Sequence, residues 1–202
     1  MDDLIHITLL RHGRSGADDE GKFEGRYDSP LTEVGFAQAR ARAEQWLAEG
    51  RAFDRIVAST LQRAQATAGV IAAVLGGQVE ADPGWCEIDK GRLTGMPRAE
   101  GEIRYPRPAF RGPFEAIAET GESEVDVAAR AGQALQRVIR CGPGRTLVVA
   151  HGGILNAALR VVCGAPSPLN ESGVCFSFGD LGYCHLSYQP ARHIWRVREL
   201  RS

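Results

Sequence analysis

The sequence predicts an α/β fold, a three-layer α/β/α sandwich with a mostly parallel sheet and an antiparallel edge strand. Short apolar segments alternate along the chain with longer segments of helical character, as in a parallel sheet covered by helices on both faces. Residues 194–200 instead alternate apolar and charged side chains, which is typical of a half-exposed strand. The 202 residues fit a single domain, residues 1–202.

The chain begins with a predicted strand and helix. Residues 6–10 are apolar and stop shortly before Gly13, which predicts a buried strand. A charged loop follows. Thr32 can cap the next helix, because its hydroxyl accepts hydrogen bonds from the free amides of the first turn. This helix runs to about Glu49.

A second strand and helix follow, and then a short third strand. Residues 53–58 predict the second strand, and Ser59 or Thr60 caps the helix after it. That helix reaches about Leu75, where two glycines end it. Residues 78–81 predict the third strand.

Residues 96–121 have poor periodicity and contain several prolines, which predicts loops and broken helices. We interpret this segment as an insertion that caps the substrate over one end of the sheet. A helix with a capping box begins at Ser123. Its apolar side chains share one face, as expected for a helix packed on a sheet. They are Val127, Ala131, Leu135 and Val138.

The last part of the chain returns to the sheet. Residues 145–150 are apolar and predict a buried strand, and residues 154–162 predict the helix after it. Residues 176–188, broken at 179–182, predict a hairpin, and residues 194–200 predict the final strand.

Composition excludes several classes of function. The formal net charge of −1 favours neither nucleic acid nor an acidic membrane surface as a partner. The amino terminus lacks a secretory signal, and no apolar run approaches the ~20 residues that span a bilayer. The five cysteines show no Cys-x-x-Cys spacing and predict reduced thiols in a cytoplasmic protein. The sequence leaves open whether the protein is a monomer or a homodimer.

Polar side chains follow three of the predicted strands. Arg11 and His12 follow the first strand, Ser59 follows the second with Arg63 one helical turn later, and His151 follows the strand at 145–150. The carboxyl ends of parallel strands form the ligand-binding edge of an open α/β sheet. No carboxylate is predicted to balance these arginines and histidines, and a helix amino terminus follows His151. Both features favour an anion such as phosphate.

The same residues belong to a longer pattern, which resembles the histidine phosphatase superfamily in its phosphoglycerate mutase-like branch. The pattern extends over nearly the whole chain except residues 96–121 and the last strands. It comprises residues 10–13, 23–25, 28–32, 35, 38–39, 59–64, 67–68, 87–91, 95, 121–123 and 151–153. The resemblance implies a phosphoglycerate mutase-like fold.

The resemblance also implies a mechanism. His12 would be the nucleophile and form a phosphohistidine, and Glu87 would be the general acid. Arg11, Arg63 and His151 would hold the phosphoryl oxygens. No metal and no cofactor are implied, and the sequence shows no His-x-His or His-Glu-x-x-His ligand spacing.

Further residues are predicted to bind the substrate. Gly13, Ser15, Gly25 and Gly152 lie within the matching motifs or next to them, beside the proposed catalytic residues. Two positions depart from the family pattern. Arg14 replaces the usual glutamate, and we expect either a contact with a second anionic group or a solvated loop arginine. Asp18 replaces an asparagine that commonly binds phosphate, and an acidic side chain would repel that ligand unless it turned away.

The arginines of residues 96–121 are predicted to shape the entrance to the site, with Arg98 and Arg104 contacting substrate. Clustered guanidinium groups can recognise a second phosphate or a carboxylate, but each of them also fits a solvated loop. The sequence leaves the identity of the small phosphorylated substrate open.

Three functions fit the sequence. The first is a metal-independent phosphomonoesterase acting on a small phosphorylated metabolite. The second is a phosphoglycerate mutase-type isomerase, although mutases carry a longer insertion than residues 96–121. The third is a noncatalytic phospho-ligand-binding module, which the presence of Arg11, His12, Arg63, Glu87 and His151 disfavours.

Overall fold

The computed structural model describes residues 4–167 and 173–202. Within those residues six strands form one sheet in the order β3-β2-β4-β1-β5-β6. The strands are β1 (Ile5–Arg11), β2 (Arg55–Ala58), β3 (Val79–Ala81), β4 (Gly144–Ala150), β5 (Tyr183–Gln189) and β6 (Ile194–Arg201). The first four strands are parallel, and β5 and β6 are antiparallel to their neighbours, so the predicted mixed sheet is confirmed.

Helices cover both faces of this sheet. The helices of the described residues are α1 (Gly16–Glu20), α2 (Glu33–Ala48), α3 (Gln62–Leu75), α4 (Arg98–Arg104), α5 (Glu124–Arg140) and α6 (Gly152–Cys163), of which α2, α3, α5 and α6 form the two outer layers. Helices α2 and α3 bury their apolar face against one side of the sheet, around Trp46 and Ile71. Helices α5 and α6 pack on the other side, around Leu135 and Leu155. The three-layer α/β/α architecture is therefore confirmed.

The central strands show why this arrangement forms. Successive side chains of a strand point to opposite faces, and on β4 Leu147 and Val149 join one core while Val148 and Ala150 join the other. A strand covered on both faces is apolar throughout. Arg11, the last residue of β1, lies in register with Ala150 at the end of β4. This register brings the segments after the two strands together at one edge.

Two local predictions were wrong. Residues 176–178 are not a strand, and the hairpin is instead formed by β5 and β6 through a turn that ends at His193, whose φ is 51°. Neither Ser59 nor Thr60 is the N-cap of α3; that position is Leu61. A leucine side chain cannot accept a hydrogen bond, and Asp28 Oδ1, from the loop before α2, accepts one from the Gln62 amide at 2.7 Å.

The segment 96–121 contains α4 and a 3₁₀ turn (Ile117–Glu119), and the rest of its backbone is irregular, as predicted. An ion pair between Arg111 and Glu124 joins it to the start of α5 at 3.4 Å. In the part of the chain that the structure describes, no helix is both long enough and apolar enough to cross a membrane.

Candidate active site

His12 follows β1 and is buried, with 1% of its surface exposed. Its Nδ1 lies 2.6 Å from the carbonyl oxygen of Gly13. Since a carbonyl can only accept, Nδ1 carries the proton, and the lone pair of the neutral ring is on Nε2. The Arg63 Nε–H donates to that Nε2 at 3.2 Å. The fold therefore presents one nucleophilic nitrogen of His12, in contact with a guanidinium group.

The surroundings keep the His12 ring neutral. Burial lowers its pKa most, the nearby positive charge of Arg63 lowers it next, and the resulting pKa is about 4. Arg11 adds to this effect, whereas the hydrogen bond to Gly13 and the charge of Glu87 oppose it. An imidazole must be uncharged to act as a nucleophile. His12 meets this condition at neutral pH.

Arg63 is fully buried in the first turn of α3. Its Nη1 donates to the carbonyl of Tyr27 at 2.8 Å, and its Nη2 donates to the carbonyl of Gly25 at 3.0 Å. These two contacts orient the guanidinium plane, so that Nε–H points at His12. The loop before α2 thus fixes an arginine that belongs to α3.

His151 follows β4 and is the N-cap of α6. Its ring centroid lies 5.0 Å from that of His12. Burial lowers the pKa of His151 well below its usual value, and His12 and Arg63 lower it further. Its Nε2 lies 2.8 Å from Ser59 Oγ, whereas its Nδ1 is buried without a hydrogen-bond partner. A buried polar atom with no partner within the described protein, beside these cationic groups, suits an anionic ligand.

Glu87 lies against the N-terminus of α6. Its carboxylate accepts hydrogen bonds from the amides of Gly153 and Ile154, both at 3.0 Å, and from the amide of Ile88 at 2.8 Å. The sequence predicts that the first amides of α6 are free to bind an anion; for Gly153 and Ile154 this is wrong, because Glu87 occupies them. The helix N-terminus instead fixes Glu87 next to His151, the residue that precedes α6.

Carboxylates contact two of the predicted cationic groups, contrary to the expectation from sequence. Asp180 Oδ1 lies 3.6 Å from Nη2 of Arg11, and Glu24 Oε1 lies 3.6 Å from Nε of Arg63. Arg11 also donates to the carbonyl of Phe178 at 2.9 Å. Both acids lie in irregular segments distant in sequence from the arginine they contact. Glu24 lies within the matching motif at residues 23–25, whereas Asp180 lies in none of the motifs.

The glycines predicted to bind substrate lie around the same site. The Gly13 carbonyl orients His12, and the Gly25 carbonyl orients Arg63. A Cβ on Gly13 would lie 2.7 Å from the carbonyl oxygen of Gly35, so only glycine fits there. A Cβ on Gly152 would meet no atom within 4 Å, which places this residue beside open space.

Ser15 and Asp18 face each other at the start of α1. Asp18 Oδ2 accepts from the amide of Ser15 at 3.0 Å. The single hydroxyl proton of Ser15 is shared between Asp18 Oδ2 and Glu24 Oε1, which lie 3.1 and 2.5 Å from its Oγ. Although burial raises the pKa of Asp18, the hydrogen bonds from Ser15 and the charge of Arg11 keep it below its usual value. The side chains of Ser15 and Asp18 therefore bond to each other and, for Ser15, to Glu24.

Arg14 and two arginines of α4 are not among these central contacts. Arg14 pairs with Asp19 on the exposed side of α1 through Nε and Nη2. Arg98 lies over the ring of Phe23 at 5.1 Å, and Arg104 pairs with Glu100 one turn away. Arg98 and Arg104 both line a cleft of about 670 Å³ that is formed mainly by the segment 96–121.

Two residues that support the site have side-chain roles that the sequence does not reveal. The sequence predicts Ser59 as a helix cap, but its hydroxyl contacts His151. Thr67 is buried one turn after Arg63; its hydroxyl donates to the Arg63 carbonyl at 2.7 Å and accepts from the Gly13 amide at 3.2 Å. Both lie within the matching motifs, which is the available signal. Among the described residues, no group of three or more His, Cys, Asp or Glu is placed to hold a metal ion.

Comparisons with known proteins identify the family of this chain. Residues 7–199 match the family model described as histidine phosphatase superfamily (branch 1). A 2,3-bisphosphoglycerate-dependent phosphoglycerate mutase from Methylobacterium sp. is 36% identical over 169 residues, which cover 78% of this chain and 80% of that protein.

Two solved structures share the fold. A mycobacterial glucosyl-3-phosphoglycerate phosphatase solved with VO3 is 27% identical, has a TM-score of 0.80, and is matched over 98% of this chain and 99% of its own. The alpha-ribazole phosphatase of Shigella flexneri, 22% identical with a TM-score of 0.81 over 98% and 96% of the two chains, shows the likeness of fold alone. The chain is therefore an enzyme of the histidine phosphatase superfamily, in its branch 1.

Proposed function

We propose that this protein is a phosphomonoesterase that hydrolyses a small phosphorylated metabolite through a phosphohistidine at His12, without a metal ion. The observation that carries the proposal is the neutral His12 ring, with Nδ1–H bound to Gly13 and Nε2 directed to Arg63. All five cysteines are free thiols, as in a reducing compartment, which supports a cytoplasmic location.

In the first step His12 Nε2 attacks the phosphorus atom, and the bond from phosphorus to the ester oxygen breaks. When the substrate enters, a phosphoryl oxygen is expected to replace Nε2 as the acceptor of the Arg63 Nε–H, which frees the lone pair of His12. Arg11 and the His151 Nδ1 are expected to hold the other oxygens. Charge in this transition state is spread over the phosphoryl oxygens, so fixed cationic donors supply most of the stabilisation.

Glu87 is proposed as the general acid. A carboxyl group has about four lone-pair positions, and the contacts to Gly153, Ile154 and Ile88 use three of them. The remaining position, on Oε2, can carry the proton that goes to the leaving oxygen. In the second step water gives a proton back to Glu87 and attacks phosphorus, and the bond to His12 breaks.

We propose that water, not a second substrate hydroxyl, accepts the phosphoryl group from His12. The segment 96–121 supports this, because it is shorter than the insertion that retains the bound intermediate in mutases. The similarity to a phosphatase over almost its entire length supports the same choice. Gly13, Gly25 and Gly152 are expected to line the phosphate pocket. Arg14, Arg98 and Arg104 remain candidates for contacts with the rest of the substrate.

The test is phosphate release from p-nitrophenyl phosphate and from a panel of sugar phosphates and phosphoglycerates. We expect His12→Ala to abolish turnover while its circular dichroism spectrum stays unchanged. A rapid quench without acid should trap labelled phosphate on the wild-type protein and not on His12→Ala. Turnover by His12→Ala at the wild-type rate would refute the assignment. Conversion of 3- to 2-phosphoglycerate without net phosphate release would show a mutase instead. Activity lost with a chelator and restored by added metal would refute the metal-free mechanism.

A further inference from the structure

The segment that carries Glu87 has little regular structure of its own. A 3₁₀ turn ends at Trp85, and no strand or helix includes residues 86–90. Backbone carbonyls in such a segment need donors from elsewhere, because an unpaired buried carbonyl destabilises the fold. The donors come from Arg130, on the face of α5 that packs against this segment.

Arg130 uses all five of its N–H groups. Nη1 donates to the carbonyls of Gly84 and Cys86, at 3.0 and 2.6 Å, and Nη2 donates to the carbonyl of Glu87 at 3.3 Å. Nε and Nη2 also donate to the two carboxylate oxygens of Glu122, both at 2.7 Å. A guanidinium group has five donors in a fixed plane, and here each of them has an acceptor.

Glu122 holds the other side of Glu87. Its Oε2 accepts from the amide of Asp89 at 2.8 Å, and its own amide donates to the Asp89 carbonyl at 3.0 Å. The Arg130–Glu122 pair thus contacts the backbone both before and after the proposed general acid. Only 17% of the Arg130 side chain and 15% of the Glu122 side chain are exposed.

We propose that Arg130 is a positioning residue for proton transfer by Glu87, with Glu122 orienting it. This inference rests on the proposed function. The Glu87 carboxylate is fixed by amides of α6, while its backbone is fixed by Arg130 of α5, so the distance from its carboxyl group to the leaving oxygen depends on both helices. No contact joins Arg130 to His12 or Arg63 among its described hydrogen bonds, so attack on phosphorus depends on it less.

The experiment compares Arg130→Lys with Arg137→Lys. Lysine keeps the positive charge near Glu122 but cannot reproduce the planar set of five donors. Arg137 is the matched control, because it lies two turns further along α5 and pairs with Asp82, with no described hydrogen bond to the carbonyls at 84–87. Each variant is assayed on two esters. The leaving group of p-nitrophenyl phosphate departs with little protonation, whereas the alkoxide of β-glycerol phosphate must be protonated as it departs.

We compare kcat/KM, which reports only the steps up to phosphoryl transfer to His12, because hydrolysis of the phosphohistidine is common to both substrates and also uses Glu87. We expect Arg130→Lys to lower kcat/KM on β-glycerol phosphate by roughly 10- to 100-fold, since misplacement of a catalytic group by about 1 Å can cost about 100-fold. On p-nitrophenyl phosphate we expect a loss of less than about threefold. Arg137→Lys should change both substrates equally and little. Glu122→Gln, which keeps an oxygen acceptor for Arg130, should show the same substrate dependence as Arg130→Lys to a smaller degree.

Equal losses on both substrates for Arg130→Lys, or no loss, would overturn the positioning role. If Arg130→Lys does not fold, Glu122→Gln decides between the same two outcomes. Failure of the proposed function is separate, because wild-type protein would then release no phosphate from either ester.

Discussion

Burial of His12 has a measurable effect on stability. The pKa of its ring is about 4 in the folded protein, against 6.5 for an ordinary histidine. Between these values the unfolded chain binds a proton that the folded protein does not, so stability falls as the pH is lowered from 6.5 towards 4. The two pKa values correspond to a loss of about 2 kcal/mol at pH 5 and about 3 kcal/mol at pH 4.

His12→Gln removes this titrating ring, so the difference between the two proteins contains its contribution. We expect the free energy of unfolding of wild type, minus that of His12→Gln, to decrease by about 2 kcal/mol between pH 7 and pH 5. The measurement is urea unfolding at several pH values, followed by tryptophan fluorescence. Thr67→Val is the control, since it removes a buried hydroxyl that contacts Gly13 but no titrating group. A difference between wild type and His12→Gln that stays constant over this range would refute the reasoning.

Three further predictions concern the support of the site. Gly13→Ala should destabilise the protein by about 1–3 kcal/mol and reduce turnover, because its Cβ would lie 2.7 Å from the Gly35 carbonyl oxygen; urea unfolding with an unchanged midpoint would contradict this. Asp28→Ala should cost about 1 kcal/mol, since the Gln62 amide loses its cap, and an unaltered melting temperature would count against that role. Arg63→Lys should lower kcat on p-nitrophenyl phosphate by roughly 100-fold, because the single nitrogen of an ammonium group cannot replace donors on the three nitrogens of a planar guanidinium. Retention of half the wild-type activity by Arg63→Lys would exclude this role of Arg63.

Much of the fold could be predicted from the sequence, because burial on two faces leaves a clear pattern. The apolar run of β4 and the one-sided apolar face of α5 are both consequences of where the core lies. The strand ends then place Arg11, His12 and His151 at one edge, which the register of β1 with β4 requires. These features depend on periodicity within a short stretch of chain.

The features that were missed depend on contacts between distant segments. Residues 176–178 have the composition of a strand, but the Phe176 backbone is held by the Asn156 side chain through two hydrogen bonds, and the Phe178 carbonyl accepts from Arg11. Similarly, α3 is capped by Asp28 and not by a residue of its own first turn. Propensity describes only neighbours along the chain, so it cannot identify such partners.

The hydrogen bond from His12 Nδ1 to the Gly13 carbonyl also determines regiochemistry. An imidazole can in principle be modified at either nitrogen. In this protein Nδ1–H donates to the Gly13 carbonyl, so only Nε2 has a lone pair. Any electrophile that enters the site would therefore form a single isomer, the one substituted at Nε2. Two-dimensional ¹H–¹⁵N NMR of a labelled adduct distinguishes the two isomers directly.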